Sequence, residues 1–244
     1  MAHPFDLEII QPVFNPRDNW VEKYIDHYRE LQIQFQDISF QIIFVNDGST
    51  KNFTTETIKY LEQNIHPIKI ISYPNNKGKG FAVRAGIKES TAPFVLYTDY
   101  DFPYKMKYLK IIYDNLKANS DIVIGVRNSE YYKHLGLKRK IVSKACIILN
   151  KSFLRIPYTD TQSGLKGFSQ KGKELLLKTT VNEFLFDTEL ICMAYKNKTI
   201  KISTIDVILN KDIKFTRIHL KTILQETKNF FSILIRSSTK KFNG

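Results

Sequence analysis

The sequence predicts an α/β fold built on a mostly parallel central sheet with helices on both faces. Three observations predict it. Short apolar runs alternate with segments of helical periodicity through the first half of the chain. Those runs are continuously apolar, as in strands covered on both faces. The chain has 244 residues, 43% hydrophobic and 25% charged, enough for a sizeable core.

The elements follow in order. Residues 7–14, "LEIIQPVF", form a buried strand, and 19–35 an amphipathic helix. A strand at 40–47, "FQIIFVND", precedes a helix at 55–64. A strand at 68–73 leads through a glycine- and lysine-rich loop into a helix over about 79–90. A fourth strand at 93–99 and a helix at 105–118 lead to a fifth strand at 121–127. The second half is less regular: a loop at 128–138, a helix at 139–154, a turn and short strand at 159–169, a helix within 183–196, a strand at 199–209 and a helical tail from Thr216 to about Arg236. The expected division is a main domain at 1–210 and a basic amphipathic tail at 211–244.

Composition narrows the partners. Lys plus Arg number 37 against 24 Asp plus Glu, a net charge of +13, which suits an anionic partner. Cys146 and Cys192 are the only cysteines and have no metal spacing. A reducing, cytoplasmic location is expected. The first ten residues lack the pattern of a secretory leader, and no apolar run is long enough to span a bilayer. Histidines 3, 27, 66, 134 and 219 lack zinc-site spacing, and no nucleophile motif is present. Nucleic-acid recognition signatures are also missing, so charge alone does not make the chain a nucleic-acid binder.

In sheets of this kind ligands bind beyond the carboxyl ends of the strands, so the residues there matter most. Strand four ends in "TDYD". Asp99 and Asp101 repel each other unless a positive charge lies nearby, and a hard divalent cation suits two such oxygens. The alternative is a polar strand end capping the next helix. "NDGST" at 46–50 is a turn in which Asp47 either stabilises the loop or accepts from a base or ribose. Lys77, Lys79 and Arg84 place cations near a helix start without a Walker or dinucleotide fingerprint. Arg127 closes strand five, and Lys138, Arg139 and Lys140 open the next helix, where cations oppose the helix dipole unless an anion binds. Asp160, Gln162, Asp187 and Glu189 lie in "TDTQSG" and "FDTEL", as turn caps, sugar-hydroxyl partners or a general base.

Seven segments, "IIQPVFN", "VNDGS", "NKGKGFAVRAG", "LYTDYDFPY", "DIVIGVRN", "DTQSGLKGF" and "FLFDTELI", stand in this order across about 7–192. Together they resemble the family-2 glycosyltransferases of GT-A fold, in particular the dolichyl-phosphate glucosyltransferase and polyprenyl-phosphate glycosyltransferase branch. The resemblance implies an inverting, metal-dependent transfer of a hexose from a UDP- or GDP-linked donor to a polyprenyl phosphate. It implies that Pro12, Phe14 and Asp47 contact the nucleoside, and that Lys79 and Arg84 lie near the nucleotide or its diphosphate. Asp99 would approach the ribose or metal, and Asp101 would be the main ligand to Mg²⁺ or Mn²⁺. Arg127 and Arg139 would hold the acceptor phosphate, and Asp160 and Gln162 would line the sugar and acceptor side. The alternative within the family is a hydroxyl acceptor, for which Asp187 would be the base. Phe14 stands where the family often has tyrosine, and Pro16 where it often has an acidic residue.

Many relatives carry transmembrane helices, and here the tail is the candidate substitute. Ile218, Leu220, Ile223, Leu224, Phe230, Phe231, Leu234 and Ile235 form a stripe with Lys221, Lys228, Arg236, Lys240 and Lys241 nearby. Such a helix either lies on the cytoplasmic face of an anionic membrane or packs on its own domain or a partner subunit. A homo-oligomer is compatible with either reading.

Overall fold

Alternating residues of each central strand belong to two different apolar clusters, one on each face of the sheet. In β1 (Leu7–Val13), Leu7 and Ile9 join one cluster and Ile10 the other. In β2 (Phe40–Asp47), Ile42 and Phe44 face one way, Ile43 and Val45 the other. This period of two explains why apolar residues stand at both odd and even positions of these strands. The computed structural model describes residues 3–127, 131, 136–158, 160–210 and 220–238, apart from the side chains of 137–139.

The remaining strands are β3 (Ile68–Tyr73), β4 (Phe94–Thr98), β5 (Ile122–Arg127), β6 (Leu165–Phe168) and β7 (Ile202–Val207). Among the described residues they make one sheet in the order β3-β2-β1-β4-β6-β5-β7. β1 pairs in parallel with β2 and β4, β2 with β3, and β5 with β7. β6 runs antiparallel to both neighbours, with Leu165 opposite Thr98. Its beginning therefore lies at the edge where β4 and β5 end, a reversal the strand pattern does not reveal.

One face is covered by α1 (Trp20–Gln34), α2 (Thr55–Asn64) and α4 (Lys107–Lys117), through Trp20, Tyr24, Leu31, Leu61, Ile112 and Leu116 among others. The other carries α3 (Lys79–Lys88), α6 (Gln170–Leu177) and α7 (Phe186–Lys196), through Val83, Ile87, Leu176, Leu190 and Ile191. α5 (Leu137–Ser152) begins slightly before the expected helix. α6 has no counterpart in the sequence reading. Ser169 caps it by accepting from the Gly172 N–H.

The tail helix α8 (Leu220–Ser237) packs on this same domain. Phe230 and Ile233 are buried with α7 residues in one cluster. Glu226 accepts from the N–H groups of Phe184 and Leu185 at 3.0 and 3.1 Å, and Arg236 pairs with buried Glu189 at 2.7 Å. The division expected at 210/211 is therefore crossed by a shared core. Leu220, Leu224, Phe231 and Ile235 remain exposed on the opposite side of the helix. Ile218, Lys240 and Lys241 lie outside the described residues. Among the described residues no helix is long and apolar enough to cross a membrane.

Candidate active site

The ends of β1, β2, β4 and β5 and the start of β6 share one edge of the sheet, and most of the charged residues expected to act lie along it. The β1 and β2 ends are laced together. Asn15 accepts from the N–H groups of Thr50 and Lys51, and Ser49 Oγ from the Asn15 N–H. Gly48 has φ +69°, and a Cβ there would strike the backbone of Asn75 and Asn76. Phe14 is nearly half exposed beyond Pro12, at the mouth of these loops.

Asp47 is almost fully buried. Its carboxylate accepts from the Asn76 side chain and from the N–H groups of Lys77 and Gly78, at 2.8, 2.8 and 3.0 Å. It therefore holds the β3–α3 loop rather than the 46–50 turn in which it stands. That loop delivers Lys79 at the first position of α3, and its Nζ lies 2.5 Å from Asp99 Oδ1. Burial works against the Lys79 charge, but Asp99 outweighs it and raises the pKa. Lys77 instead stacks its ammonium on Phe81, 4.7 Å from the ring centre.

After β4 the chain turns sharply. The Phe102 N–H donates to the Asp99 carbonyl, and Phe102 has a left-handed φ of 41°. Tyr100 packs edge-on against Trp20, and its hydroxyl accepts from the Arg17 N–H. The turn is thus held by aromatic packing and presents both carboxylates together. Burial and the Asp99 charge push the Asp101 carboxyl up to about 6, with Arg17 and Lys79 opposing the rise. The second Asp99 oxygen sits against Gly164, where any Cβ would collide with it.

The other end of the site is built on Arg127. Its Nε and one terminal nitrogen donate to the two Asp160 oxygens, each at 2.6 Å, and its backbone N–H donates to the same carboxylate. Its planar group lies over Tyr131, 4.3 Å from the ring centre, and donates to that hydroxyl. Burial alone would raise the Asp160 carboxyl, yet the guanidinium holds it below its ordinary value. Asp160 therefore pairs with Arg127 and orients it. Both line a small polar cleft with Ser143, Cys146, Asn150, Thr161 and Gln162. The Arg139 side chain lies outside the described residues.

Between the two ends lies a pair in which only one member was foreseen. Lys166 in β6 has a side chain 0% exposed, and its Nζ lies 2.9 Å from Asp187 Oδ1, which is itself almost fully buried. The approach is an ion pair outside hydrogen-bond angles; the ammonium donates instead to the Ser163 carbonyl at 2.6 Å. Burial pushes the Asp187 carboxyl up and the Lys166 ammonium down, each opposed by its partner. The available signal was a lysine inside the four-residue apolar strand "LKGF". Arg17 and Tyr131 also escaped sequence reasoning.

One expected site residue is directed elsewhere. Arg84 donates to Thr179 Oγ1, the Val181 carbonyl and Asn182 Oδ1. It pins the 179–182 segment to α3.

Among the described residues no cluster of three or more His, Cys, Asp or Glu could hold a metal. The acidic turn does offer two carboxylates side by side, Asp99 and Asp101, of the oxygen-donor type that a hard divalent cation takes. Ligand oxygens would have to complete the shell.

The Glycosyl transferase family 2 model matches residues 8–174 of the chain. A dolichyl-phosphate β-glucosyltransferase of Trichomonas vaginalis is 28% identical over 217 residues, 84% of this chain and 66% of that protein. A dolichol-phosphate mannosyltransferase of Pyrococcus furiosus is 26% identical over 183 residues, 74% of this chain and 50% of that protein. The chain thus spans between half and just under two thirds of the length of these relatives. A crystal structure of glucosyl-3-phosphoglycerate synthase from Mycobacterium tuberculosis, in complex with Mn²⁺, UDP-glucose and phosphoglyceric acid, aligns with TM-score 0.61 at 12% identity, over 96% of this chain and 80% of that one. At that identity the likeness establishes a shared fold.

Proposed function

The chain belongs to glycosyl transferase family 2, and from that premise we propose that it transfers a hexose from a UDP- or GDP-linked donor to a polyprenyl phosphate, with inversion at C1. The observation that carries the choice of acceptor is the burial of Asp187 against Lys166. A hydroxyl acceptor needs a base beside it, and Asp187 was the candidate base. It is enclosed in an ion pair instead. A phosphate acceptor is already an anion and needs none. The dolichyl-phosphate transferases similar to this chain support the same reading.

In this reading Phe14 offers its exposed ring to the base, beside Pro12. Lys79 and the Asp99–Asp101 turn lie at the diphosphate. Asp101, helped by Asp99, would hold Mg²⁺ or Mn²⁺, which supplies charge neutralisation for the departing diphosphate. The neighbouring fold bound to Mn²⁺ and UDP-glucose is in keeping with this. Arg127, whose Nε and one terminal nitrogen are held by Asp160, would meet the acceptor phosphate with its positive charge and remaining N–H groups, and Gln162 lines the same cleft. An acceptor oxygen forms the new bond to C1 as the C1–O bond to the diphosphate breaks. The bonding pair leaves on the nucleoside diphosphate, and no proton has to move.

The test is calorimetric titration of UDP-glucose, UDP-N-acetylglucosamine and GDP-mannose with Mn²⁺ and with EDTA, followed by transfer to a short polyprenyl phosphate and to its alcohol. Metal-dependent binding of one donor and transfer to the phosphate only is the expected result. Transfer to the alcohol alone would replace the lipid-phosphate reading with a hydroxyl acceptor.

A further inference from the structure

Helix α5 is amphipathic in the reverse sense. A surface helix normally turns its apolar stripe inward. In α5 the inward face carries Ser143, Cys146 and Asn150, which with Ile147 line the cleft containing Arg127 and Asp160. The outward face carries Ile141, Ala145 and Ile148, spaced i, i+4, i+7, with Leu149 beside them and Phe153 just past the helix end. Ile141 is 59% exposed and Ile148 62%. Along one flank of that stripe run Lys140, Lys144 and Lys151, again at helical spacing, the last two exposed.

We propose that this outer face of α5 seats in an anionic lipid surface, so that the Arg127 cleft opens at the membrane interface. The inference rests on the lipid-phosphate reading above and goes beyond the tail helix that the sequence pointed to. An apolar stripe bordered by lysines matches the chemistry of an interfacial helix, with side chains among the acyl tails and ammonium groups among anionic headgroups. A second copy of the chain fits less well. A two-fold contact through this face would bring two lysine rows of the same sign together. The geometry also gives the stripe a use: one helix would touch lipid with its outer face and the acceptor cleft with its inner face, so a lipid-borne phosphate reaches Arg127 without leaving the bilayer surface.

Co-sedimentation of the full chain with phosphatidylcholine vesicles, with and without phosphatidylglycerol, tests this. Wild type is expected to bind the anionic vesicles and to release as salt rises. Ile141→Glu/Ile148→Glu should lower that binding at least about tenfold, a change of about 1.4 kcal/mol. Lys144→Glu/Lys151→Glu should remove the preference for phosphatidylglycerol. Circular dichroism checks the fold of each variant, and the milder Ile148→Ser provides a second reading. Absence of wild-type binding, or unchanged binding in both double variants, overturns the proposal. So does sedimentation velocity showing a dimer that Ile148→Glu dissociates. Transfer to a short water-soluble polyprenyl phosphate, measured in parallel, separates the two claims. Transfer without vesicle binding overturns the docking face alone. Vesicle binding that follows the α5 residues, without transfer, upholds the docking face and overturns the acceptor reading.

Discussion

The Lys166 ammonium, fully enclosed in β6, lies 2.9 Å from the Asp187 carboxylate in the first turn of α7. Lys166 stands on β6 and Asp187 at the start of α7, with α6 between them in the chain, so the pair exists only once these elements pack together. Asp187 also senses the charges of Lys79 and Asp99, so this pair joins the donor half of the site to the acceptor half.

Removing one member should cost far more than removing both. Lys166→Met leaves an uncompensated buried carboxylate and is expected to lower stability by about 3–5 kcal/mol. Adding Asp187→Leu should recover much of that loss. Urea denaturation of the single and double variants measures the difference, and equal losses would refute the coupling.

Asp101→Asn should abolish metal-dependent donor binding without lowering the melting temperature in EDTA. The carboxyl it removes is held in an unfavourable place, raised to about 6 by burial and by Asp99. Calorimetry with Mn²⁺ and a thermal melt without metal give the two readouts. Unchanged donor affinity would remove Asp101 from the metal site.

Gly164→Ala is expected to weaken donor binding at least about tenfold, about 1.4 kcal/mol, while the fold persists. The new Cβ would meet the Asp99 carboxylate and force it from its place beside Lys79. Wild-type affinity in this variant would show that the position of Asp99 is not critical.

The Arg127–Asp160 fork sets a pH dependence. The folded Asp160 pKa lies below the unfolded value of about 3.9, so the pair's stabilisation is fully present above the unfolded pKa. It is lost as pH falls through the folded pKa. Asp160→Asn should therefore be less stable than wild type at neutral pH, and the gap should close in acid. Denaturation midpoints at neutral and strongly acidic pH decide it. A gap that stays constant would mean the carboxylate charge is not what stabilises the fork.

The strand-end rule directed attention to Asp99, Asp101, Lys79 and Arg127, and the sheet brings their backbones to one edge. The rule did not reveal what each carboxylate would do. Asp47 lies at a strand end as expected, yet its oxygens are committed to the next loop. Arg84 has the right charge in the right segment, but its guanidinium is directed at 179–182. A side chain's partners depend on which loops cross nearby, and a linear pattern of charges does not carry that information.

By itself the sequence determined the order and kind of most elements, since strand and helix periods are local properties of a few neighbouring residues. It also determined the acidic turn after β4 and the cation at the end of β5. Only the tertiary structure decided that β6 is antiparallel, that Lys166 meets Asp187, that α8 docks on α7, and that α5 turns its apolar side outward. Each of those depends on contacts between residues far apart in the chain. Burial at those contacts sets the dielectric and the partners, and with them whether a carboxylate holds a loop, orients an arginine or is left to receive a cation.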